Sequence, residues 1–274
     1  MPIISISSDC GANVEALAHR VAEEADYRVL DRGFLSEVAE KHGVSRARLD
    51  DVLESGPGFL GFGTRTKRRY LAMIQHAVLE ELLKDRIVTL GLSAHLYVRG
   101  VSHFIRVRVL CDLEARARHL AEQEGCSIEK ALRTVKLKDR RRLQWSLEFF
   151  DLDESDPALH DMLIDLREET EEQAVQRMCD ALNSRSYQPI TYSIKCLEDQ
   201  ALAARVRVAL FDRFPDLTVK ARGTTVFVAT KAPPRHKHKK VAAIKEAARE
   251  VPGVDYVEVH LSPETFAQAT ANIP

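Results

Sequence analysis

The most constraining feature of this chain is its first stretch, where an apolar strand is followed by a glycine-containing loop and an amphipathic helix. Ile4 and Ile6 alternate with serines, which predicts a buried strand. Gly11 permits a tight turn, and Asn13 is predicted to cap the next helix. Loop amides and a helix N-terminus together attract anions. The stretch therefore predicts an anion-binding loop formed by Gly11, Ala12 and Asn13.

The residues that complete a working phosphate loop are missing from this stretch. Such a loop ends in Gly-Lys-Ser/Thr, with the lysine on the terminal phosphates and the hydroxyl on magnesium. Counted from the strand, those positions hold Val14, Glu15 and Ala16. Val14 cannot neutralise a phosphate, and Ala16 offers no oxygen to a metal. The carboxylate of Glu15 in the first turn already satisfies the helix dipole. We therefore expect weak binding of any nucleotide, and the loop argues against magnesium.

Strand patterns then alternate with helix patterns as far as residue 182. Five short apolar runs are predicted to be strands: residues 3–6, 27–30, 87–90, 104–110 and 162–165. Interleaved helices and strands favour a parallel sheet with right-handed crossovers and helices on both faces. The first part of the chain is therefore predicted to be an α/β domain.

Residues 4–35, ISISSDCGANVEALAHRVAEEADYRVLDRGFL, resemble the opening of the cytidylate-kinase-like proteins, a branch of the nucleoside monophosphate kinases. The resemblance extends more weakly to about Leu182 and implies a P-loop NTPase-like fold. The family's Gly-Arg-Gly-Ala motif appears here as residues 91–94, Gly-Leu-Ser-Ala, so Leu92 replaces a phosphate-binding arginine. The family's lid motif Asp-x-x-Arg is retained as Asp139 and Arg142, which implies that these two residues contact phosphates.

The resemblance also makes Asp31 and Arg32 candidates for the acceptor-nucleotide pocket, because they follow the second strand. A surface ion pair beside the strand end is the alternative. Residues 136–142 form the strongest basic cluster of this domain, which is either the phosphate-clamping lid or a solvated helix face. The acidic residues 151–156 just downstream are candidates to pair with this cluster. Trp145 is interpreted as a packing residue rather than a base-stacking one.

The rest of the chain is predicted to form a second domain. We place the first domain at residues 1–183, a linker at 184–189 and the second domain at 190–274, beginning with a strand at residues 190–196. A helix, a hairpin, a helix and a strand follow, and residues 251–257, VPGVDYV, are similar to the signature of the BON domain. The resemblance implies a small α+β bacterial module that binds phospholipid or other partners. A KH-type RNA module has a related layout but requires a Gly-x-x-Gly clamp, which is missing here.

A second basic cluster lies between the hairpin and the last helix of this domain. It contains Arg235, Lys237, Lys239 and Lys240. Cations at the start of a helix oppose its dipole, and a bound anion would offset that cost. We interpret the cluster as a binding surface for an anionic protein, a phospholipid or a nucleic acid; a hydrated, solubilising loop is the alternative.

Composition limits where the protein acts. The formal net charge is -1 over 274 residues, so attraction to nucleic acid or membrane must come from local patches. No apolar run approaches a membrane span, and the five cysteines show neither metal-ligand nor redox spacing. We expect a cytoplasmic protein with reduced cysteines and no metal site. The sequence leaves a homo-oligomer open.

These observations predict a degenerate cytidylate-kinase-like protein without phosphotransfer activity. It would act as a nucleotide-sensing or scaffolding protein through its BON-like domain. One alternative is an active nucleoside monophosphate kinase that recruits a lysine from elsewhere, for example Lys67 or Lys138. Another is a module for anionic surfaces built on a structural kinase-like scaffold.

Overall fold

The computed structural model describes residues 1–8, 12–54, 63–231 and 237–262. The chain divides into two compact units, Met1–Ile194 and Lys195–Pro274. The predicted linker, residues 184–189, contains a short 3₁₀ helix, Arg185–Tyr187, and belongs to the first unit.

The first unit is built on a five-stranded parallel sheet. Its strands are β1 (Ile3–Ser8), β2 (Arg28–Leu30), β3 (Ile87–Leu90), β4 (Phe104–Leu110) and β5 (Met162–Asp165). Their order in the sheet is β2-β3-β1-β4-β5, and every pair is parallel. The first strand of the chain is therefore the central one, with Ile6 opposite both Leu90 and Val107. The predicted α/β class and its five strands are confirmed.

Helices connect the strands of this sheet. They are α1 (Ala12–Ala25), α2 (Leu35–His42), α3 (Arg46–Glu54), α4 (Thr64–Leu82), α5 (Ala94–Tyr97), α6 (Leu113–Glu124), α7 (Ile128–Phe150) and α8 (Glu171–Asn183). Helices α1 and α8 pack against each other and share one core with the sheet. In that core, Leu17 and Met178 are buried with Val107, as the apolar face of α1 predicts.

The long helix α7 is positioned by its caps. The hydroxyl of Ser127 accepts a hydrogen bond from the amide of Lys130 at 3.3 Å, which fixes the start of the helix. Asp151, in the left-handed conformation at φ 56°, ends it. Between these caps the helix carries the predicted lid residues Asp139 and Arg142 past the carboxyl ends of the strands.

The second unit contains a three-stranded sheet and two helices. Its first element along the chain is helix α9 (Thr191–Phe211). This helix is followed by β6 (Thr218–Arg222), β7 (Thr225–Lys231), α10 (Lys237–Arg249) and β8 (Tyr256–Ser262). Strands β6 and β7 are antiparallel and form a hairpin, whereas β7 and β8 are parallel. The predicted order of a helix, a hairpin, a helix and a strand is confirmed.

One element prediction is wrong: residues 190–196 were expected to form a strand, and they lie largely within helix α9. Ser193, Leu197 and Ala201 are all buried, whereas Tyr192 and Ile194 are exposed. Burial at every fourth residue is helical periodicity. The short alternation of apolar and polar residues at 190–196 fits a strand equally well, and periodicity over so few residues does not discriminate between them.

Candidate functional site

A cleft of about 1040 Å³ opens in the first unit where the parallel strands end. In doubly wound sheets, ligands bind outside the carboxyl ends of the strands because the loops there converge. The described residues that line it come from the ends of β1, β2 and β3, from β4, and from the helices α1 and α7, and include Ser8, Glu15, Asp31, Arg32, Gly91, Ser93, Arg108, Lys138, Asp139, Arg141 and Arg142. Most of the predicted site residues of the first domain are therefore brought together.

The predicted anion-binding loop is only partly described. Gly11 lies outside the described residues. Helix α1 begins at Ala12, so Asn13 is its second residue and not the N-cap that the sequence suggested. The next side chain, Val14, is 1% exposed and belongs to the core, while Glu15 lines the cleft. The position at which a phosphate loop needs a lysine is thus filled by a buried valine, and a carboxylate lines the cleft one residue further on.

Glu15 is part of a cluster that the sequence analysis missed. Glu15, His19 and Asp31 each place one potential metal-ligand atom within 4.8 Å of the others. Glu15 and His19 share a face of α1 because they are four residues apart, and Asp31 follows β2. Asp31 also accepts a hydrogen bond of 2.6 Å from the amide of Gly33. Two carboxylates and an imidazole could hold a divalent transition metal, and they make this side of the cleft negative.

Arg32 lies between two strand ends at the cleft. Its Nε donates to the carbonyl of Gly91 at 3.2 Å, and its Nη1 forms an ion pair with Glu54. Gly91 has φ +72°, and a Cβ atom there would lie 3.3 Å from Nε of Arg32. Glycine is therefore required both by the backbone conformation and by the approach of the guanidinium. The ion pair that was the alternative interpretation of Arg32 is present, with Glu54 as its partner.

The predicted lid residue Asp139 is engaged within the protein. Both of its carboxylate oxygens accept hydrogen bonds from Arg116, Oδ2 from Nη1 at 3.1 Å and Oδ1 from Nη2 at 2.5 Å. Such a bidentate pair holds both side chains in one geometry. It ties the middle of α7 to α6.

Arg142, the second lid residue, is engaged still more fully. Its Nη1 donates to the carbonyl of Leu53 at 2.8 Å, and its Nη2 donates to Ser93 Oγ at 2.8 Å and to Glu154 Oε2 at 2.7 Å. Its Nε donates to the other oxygen of Glu154. The guanidinium carbon lies 4.1 Å from the centre of the Trp145 ring. Every nitrogen of this guanidinium therefore has a partner inside the protein.

Glu154 is the anionic centre of this network, and its side chain is 6% exposed. Burial alone would raise its pKa, but contacts with His95 and Arg142 outweigh burial and lower the pKa to about 2. It belongs to the acidic run 151–156 that the sequence suggested as an internal partner of the basic cluster. That pairing is confirmed for Arg142. Trp145 is fully buried and donates to the carbonyl of Val52 at 2.6 Å, so its packing role is also confirmed.

Two histidines complete the network, and the sequence analysis identified neither. Nε2 of His95 lies 3.5 Å from Glu154 Oε2, and burial lowers the pKa of His95 to about 4. The ring of His160 lies 5.7 Å from that of His95, and its Nε2 lies 3.0 Å from the carbonyl of Glu154. Since a carbonyl only accepts, Nε2 of His160 carries the proton. Burial lowers the pKa of His160 as well, so burial favours the neutral form of both rings.

Exposed cations also line the cleft. Lys138 and Arg141 are three residues apart on α7, and both are exposed. Arg108, from β4, is buried and lines the cleft as well. Lys67, the other candidate for a recruited lysine, is not among the described residues that line the cleft. Of the two lysines, only Lys138 is placed to meet a ligand here.

The basic cluster of the second unit is described in part. Arg235 lies outside the described residues. Lys237 and Lys239 are exposed in the first turn of α10, and Lys240 donates to the carbonyl of Lys231 at 2.6 Å.

Two further expectations concern the environment of the protein. Across the described ranges, no helix combines the length and the apolar character needed to cross a bilayer. Cys126, Cys179 and Cys196 are thiols, but Cys111, directly after β4, is disulfide-bonded. The expectation of reduced cysteines is therefore wrong for Cys111.

Comparison with known proteins gives a consistent result. A model of the "Cytidylate kinase-like family" matches residues 3–168. A cytidylate kinase of Methanopyrus kandleri is 24% identical over 165 residues, covering 60% of this chain and 83% of that protein. A cytidylate kinase of Ignicoccus hospitalis is 28% identical over 167 residues, covering 56% of this chain and 88% of that protein. Among solved structures, an uncharacterized protein from Eubacterium ventriosum aligns with a TM-score of 0.48 at 18% identity, covering 67% of this chain and 99% of that one.

Proposed function

Since this chain belongs to the cytidylate kinase-like family, we propose that its first unit binds a nucleotide in the cleft and transfers phosphate at no more than a trace rate. The second unit, which we interpret as a BON-like domain, would pass the state of the cleft to a partner. The protein would then be a nucleotide-sensing or scaffolding protein.

The observation that carries this proposal is the exposed carboxylate of Glu15 on the cleft, beside that of Asp31. Phosphoryl transfer depends almost entirely on positioning and on positive charge around the phosphates. Two carboxylates near the phosphate loop repel a triphosphate instead. Ala16, the next residue of α1, offers no hydroxyl to order magnesium.

A second argument comes from the remaining cations of the cleft. Leu92, which stands where the family has a phosphate-binding arginine, is buried. Arg116 and Arg142 already hold Asp139 and Glu154 in internal ion pairs. A nucleotide would have to compete with these carboxylates for the guanidinium groups. Breaking the largely buried pair of Arg142 and Glu154 costs several kcal/mol, whereas the pair of Arg116 with Asp139, whose side chain is 40% exposed, costs less. Lys138 and Arg141 are the better placed contacts for phosphate.

The proposal is tested with the full chain, ATP, CMP and magnesium. We expect product formation equal to that of a blank without protein. Turnover near about 1 per second, the low end for kinases, would contradict the proposal. Lys138→Ala then tests the alternative of an active kinase with a recruited lysine. Lys136→Ala is the matched control, because Lys136 is exposed on the same helix and is not among the described residues of the cleft.

Nucleotide binding is tested separately by calorimetry with and without magnesium. We expect weak binding that depends little on the metal and that decreases in Lys138→Ala or Arg141→Ala. Arg142→Ala tests the lid contact that the family resemblance implies. No binding of any nucleotide at millimolar concentration would contradict the sensing role.

The exposed cations at the start of α10 favour a second candidate function, the binding of an anionic surface. The surface would comprise Arg235, Lys237, Lys239 and Lys240 and would contact an acidic protein, a phospholipid or a nucleic acid. Such binding should weaken steeply with salt because exposed charges are screened over about 10 Å at 0.1 M. Replacing the four residues with Gln should abolish binding without affecting the fold; equal binding would identify the cluster as a solubilising segment.

A further inference from the structure

Within the described part of the chain, the three-stranded sheet of the second unit has one face that packs on its own core and an opposite face, the open face, whose side chains are exposed or half-buried. Val226, Val228 and Val257 point into the core with the apolar residues of α9 and α10. Val219, Ala221 and Val259 pack against the same core. Because side chains alternate along a strand, the intervening residues of all three strands lie on the opposite face.

The strand register places the residues of this open face in three rows. Thr218, Ala229 and His260 form one row; Lys220, Phe227 and Glu258 form the next; Arg222, Thr225 and Tyr256 form the third. Nε2 of His260 lies 3.7 Å from Oε2 of Glu258, as expected for two residues that share a face. Lys231 continues the same face at the end of β7, opposite Ser262.

Two aromatic residues lie side by side on this face, one on the central strand and one at the start of an edge strand. Phe227, on the central strand, is half-buried, and Tyr256, on the neighbouring strand, is 67% exposed. They are in adjacent rows of neighbouring strands, a diagonal arrangement that lets large side chains reach each other. An exposed aromatic on an open sheet, beside a second ring and away from any apolar cluster, offers a flat π surface to a ligand.

Cations lie on the same face as the rings, on β6 and at the end of β7. Lys220 lies directly opposite Phe227, and Arg222 lies in the same row as Tyr256. With Lys231, the face carries three cations against one carboxylate, Glu258. Lys240 donates to the carbonyl of Lys231, so the start of α10 brings a further cation to the end of β7. In a chain whose net charge is -1, this face is a local region of positive charge.

From this juxtaposition we propose that the open face binds single-stranded nucleic acid, with Tyr256 and Phe227 stacking on successive bases and Lys220, Arg222 and Lys231 contacting phosphates. Sheet surfaces with exposed aromatics recognise unpaired bases in this way because every base has a π face. Three strands span about 10 Å across, which is enough for a few nucleotides and too little to enclose a duplex. The proposal does not depend on the function proposed for the cleft of the first unit.

The test is fluorescence anisotropy of labelled 12-nucleotide single strands of RNA and DNA with the full chain at low salt. Tyr256→Ala should weaken binding about tenfold or more, since one stacked base contributes that much affinity. Tyr192→Ala is the matched control, because this tyrosine of α9 is 74% exposed and is not part of the open face. The Tyr192→Ala variant should bind the single strands with the affinity of the unmodified protein.

The charge requirement is tested with the double variant Lys220→Gln, Arg222→Gln. It should weaken binding and reduce the salt dependence, because two phosphate contacts are lost. Arg249→Gln, at an exposed position of α10, is the control. It should change neither the affinity nor its salt dependence. Circular dichroism of each variant establishes that the fold is retained.

Several outcomes would overturn the proposal. No binding of either single strand, or an equal loss in Tyr256→Ala and Tyr192→Ala, would show that the open face is not the binding surface. Equal affinity for duplex of the same length would exclude base stacking. If vesicles containing an anionic phospholipid bind through Tyr256 and Lys220 while the single strands do not, the occupant of this face is a membrane surface.

Discussion

The guanidinium of Arg142 and the carboxylate of Glu154 form a two-pronged ion pair, in which Nη2 lies 2.7 Å from Oε2 and Nε donates to Oε1. Twelve residues separate the two along the chain. The pair joins the lid helix to the segment that follows it, at the wall of the cleft. The carbonyl of Leu53 and the hydroxyl of Ser93 also accept hydrogen bonds from Arg142. The side chain of Arg142 therefore joins α7 to α3, to the start of α5 and to the segment that follows α7.

Removing the carboxylate of this pair should destabilise the protein. In Glu154→Gln the largely buried Arg142 loses its counter-charge, and breaking such a pair costs about 3 kcal/mol. Urea unfolding followed by circular dichroism measures the change. The control Glu172→Gln removes a partner of Arg20 on an exposed surface. Its urea midpoint should equal that of the unmodified protein. Equal midpoints for the two variants would show that the buried pair contributes nothing.

Stability should also fall in mild acid. The pKa of His95 is about 4 in the fold, below the ordinary value of 6.5, chiefly because of burial. Between these two values His95 is protonated in the unfolded chain but not in the folded one. The free energy of unfolding therefore decreases as the pH falls from 6.5 towards 4, by up to about 3 kcal/mol. Glu154, with its lowered pKa of about 2, adds a loss in the same direction between pH 4.5 and 2.

Urea midpoints measured from pH 7.5 to pH 4 check this expectation. His95→Asn should flatten the pH dependence above pH 4.5, whereas His238→Asn, an exposed change on α10, should leave it intact. His160, whose pKa burial also lowers, is expected to account for part of the remaining slope. A curve for the unmodified protein that is flat down to pH 4 would refute the assignment.

Trp145 should report on the first unit alone. It is the only tryptophan in the chain and is fully buried, so its emission should shift to longer wavelength on unfolding. Trp145→Phe removes the hydrogen bond to Val52 and weakens the stack on Arg142, which should cost about 2 kcal/mol. Tyr192→Phe, an exposed aromatic change, should cost nothing measurable. Native emission resembling that of the unfolded chain would contradict the buried position.

Reversing the charge at Glu15 should strengthen nucleotide binding. Glu15→Lys places a cation on the cleft, one residue after the phosphate-loop lysine position that Val14 fills. We expect the affinity for ATP to rise about tenfold or more because one repulsion is replaced by one attraction. The affinity of Glu15→Gln for ATP should lie between that of the unmodified protein and that of Glu15→Lys. Glu23→Lys, the same charge change farther along α1, is the control for net charge. Calorimetry makes the comparison, and equal gains in both lysine variants would rule out a local effect.

The strands of both sheets, the hairpin and the class of the fold could be predicted from the sequence because each depends on a local pattern, although the same pattern wrongly predicted a strand at residues 190–196. Ile4 and Ile6 alternate with small polar residues and form the central strand of the sheet. Residues 223 and 224 connect β6 to β7 with Arg222 opposite Thr225, and Gly223 supplies the positive φ that this turn requires. The acidic run after α7 was identified as a partner for its basic cluster because the two are close along the chain.

Only the tertiary structure decided which side chains line the cleft and which of them are exposed there. Ser93, His95, Arg142 and Glu154 lie up to 61 residues apart, and no spacing in the sequence relates them. The parallel order β2-β3-β1-β4-β5 brings the ends of distant strands together, and burial then decides which charges remain exposed. For this reason Arg142, predicted from its motif as a phosphate ligand, is found in an internal ion pair, while Glu15 faces the cleft.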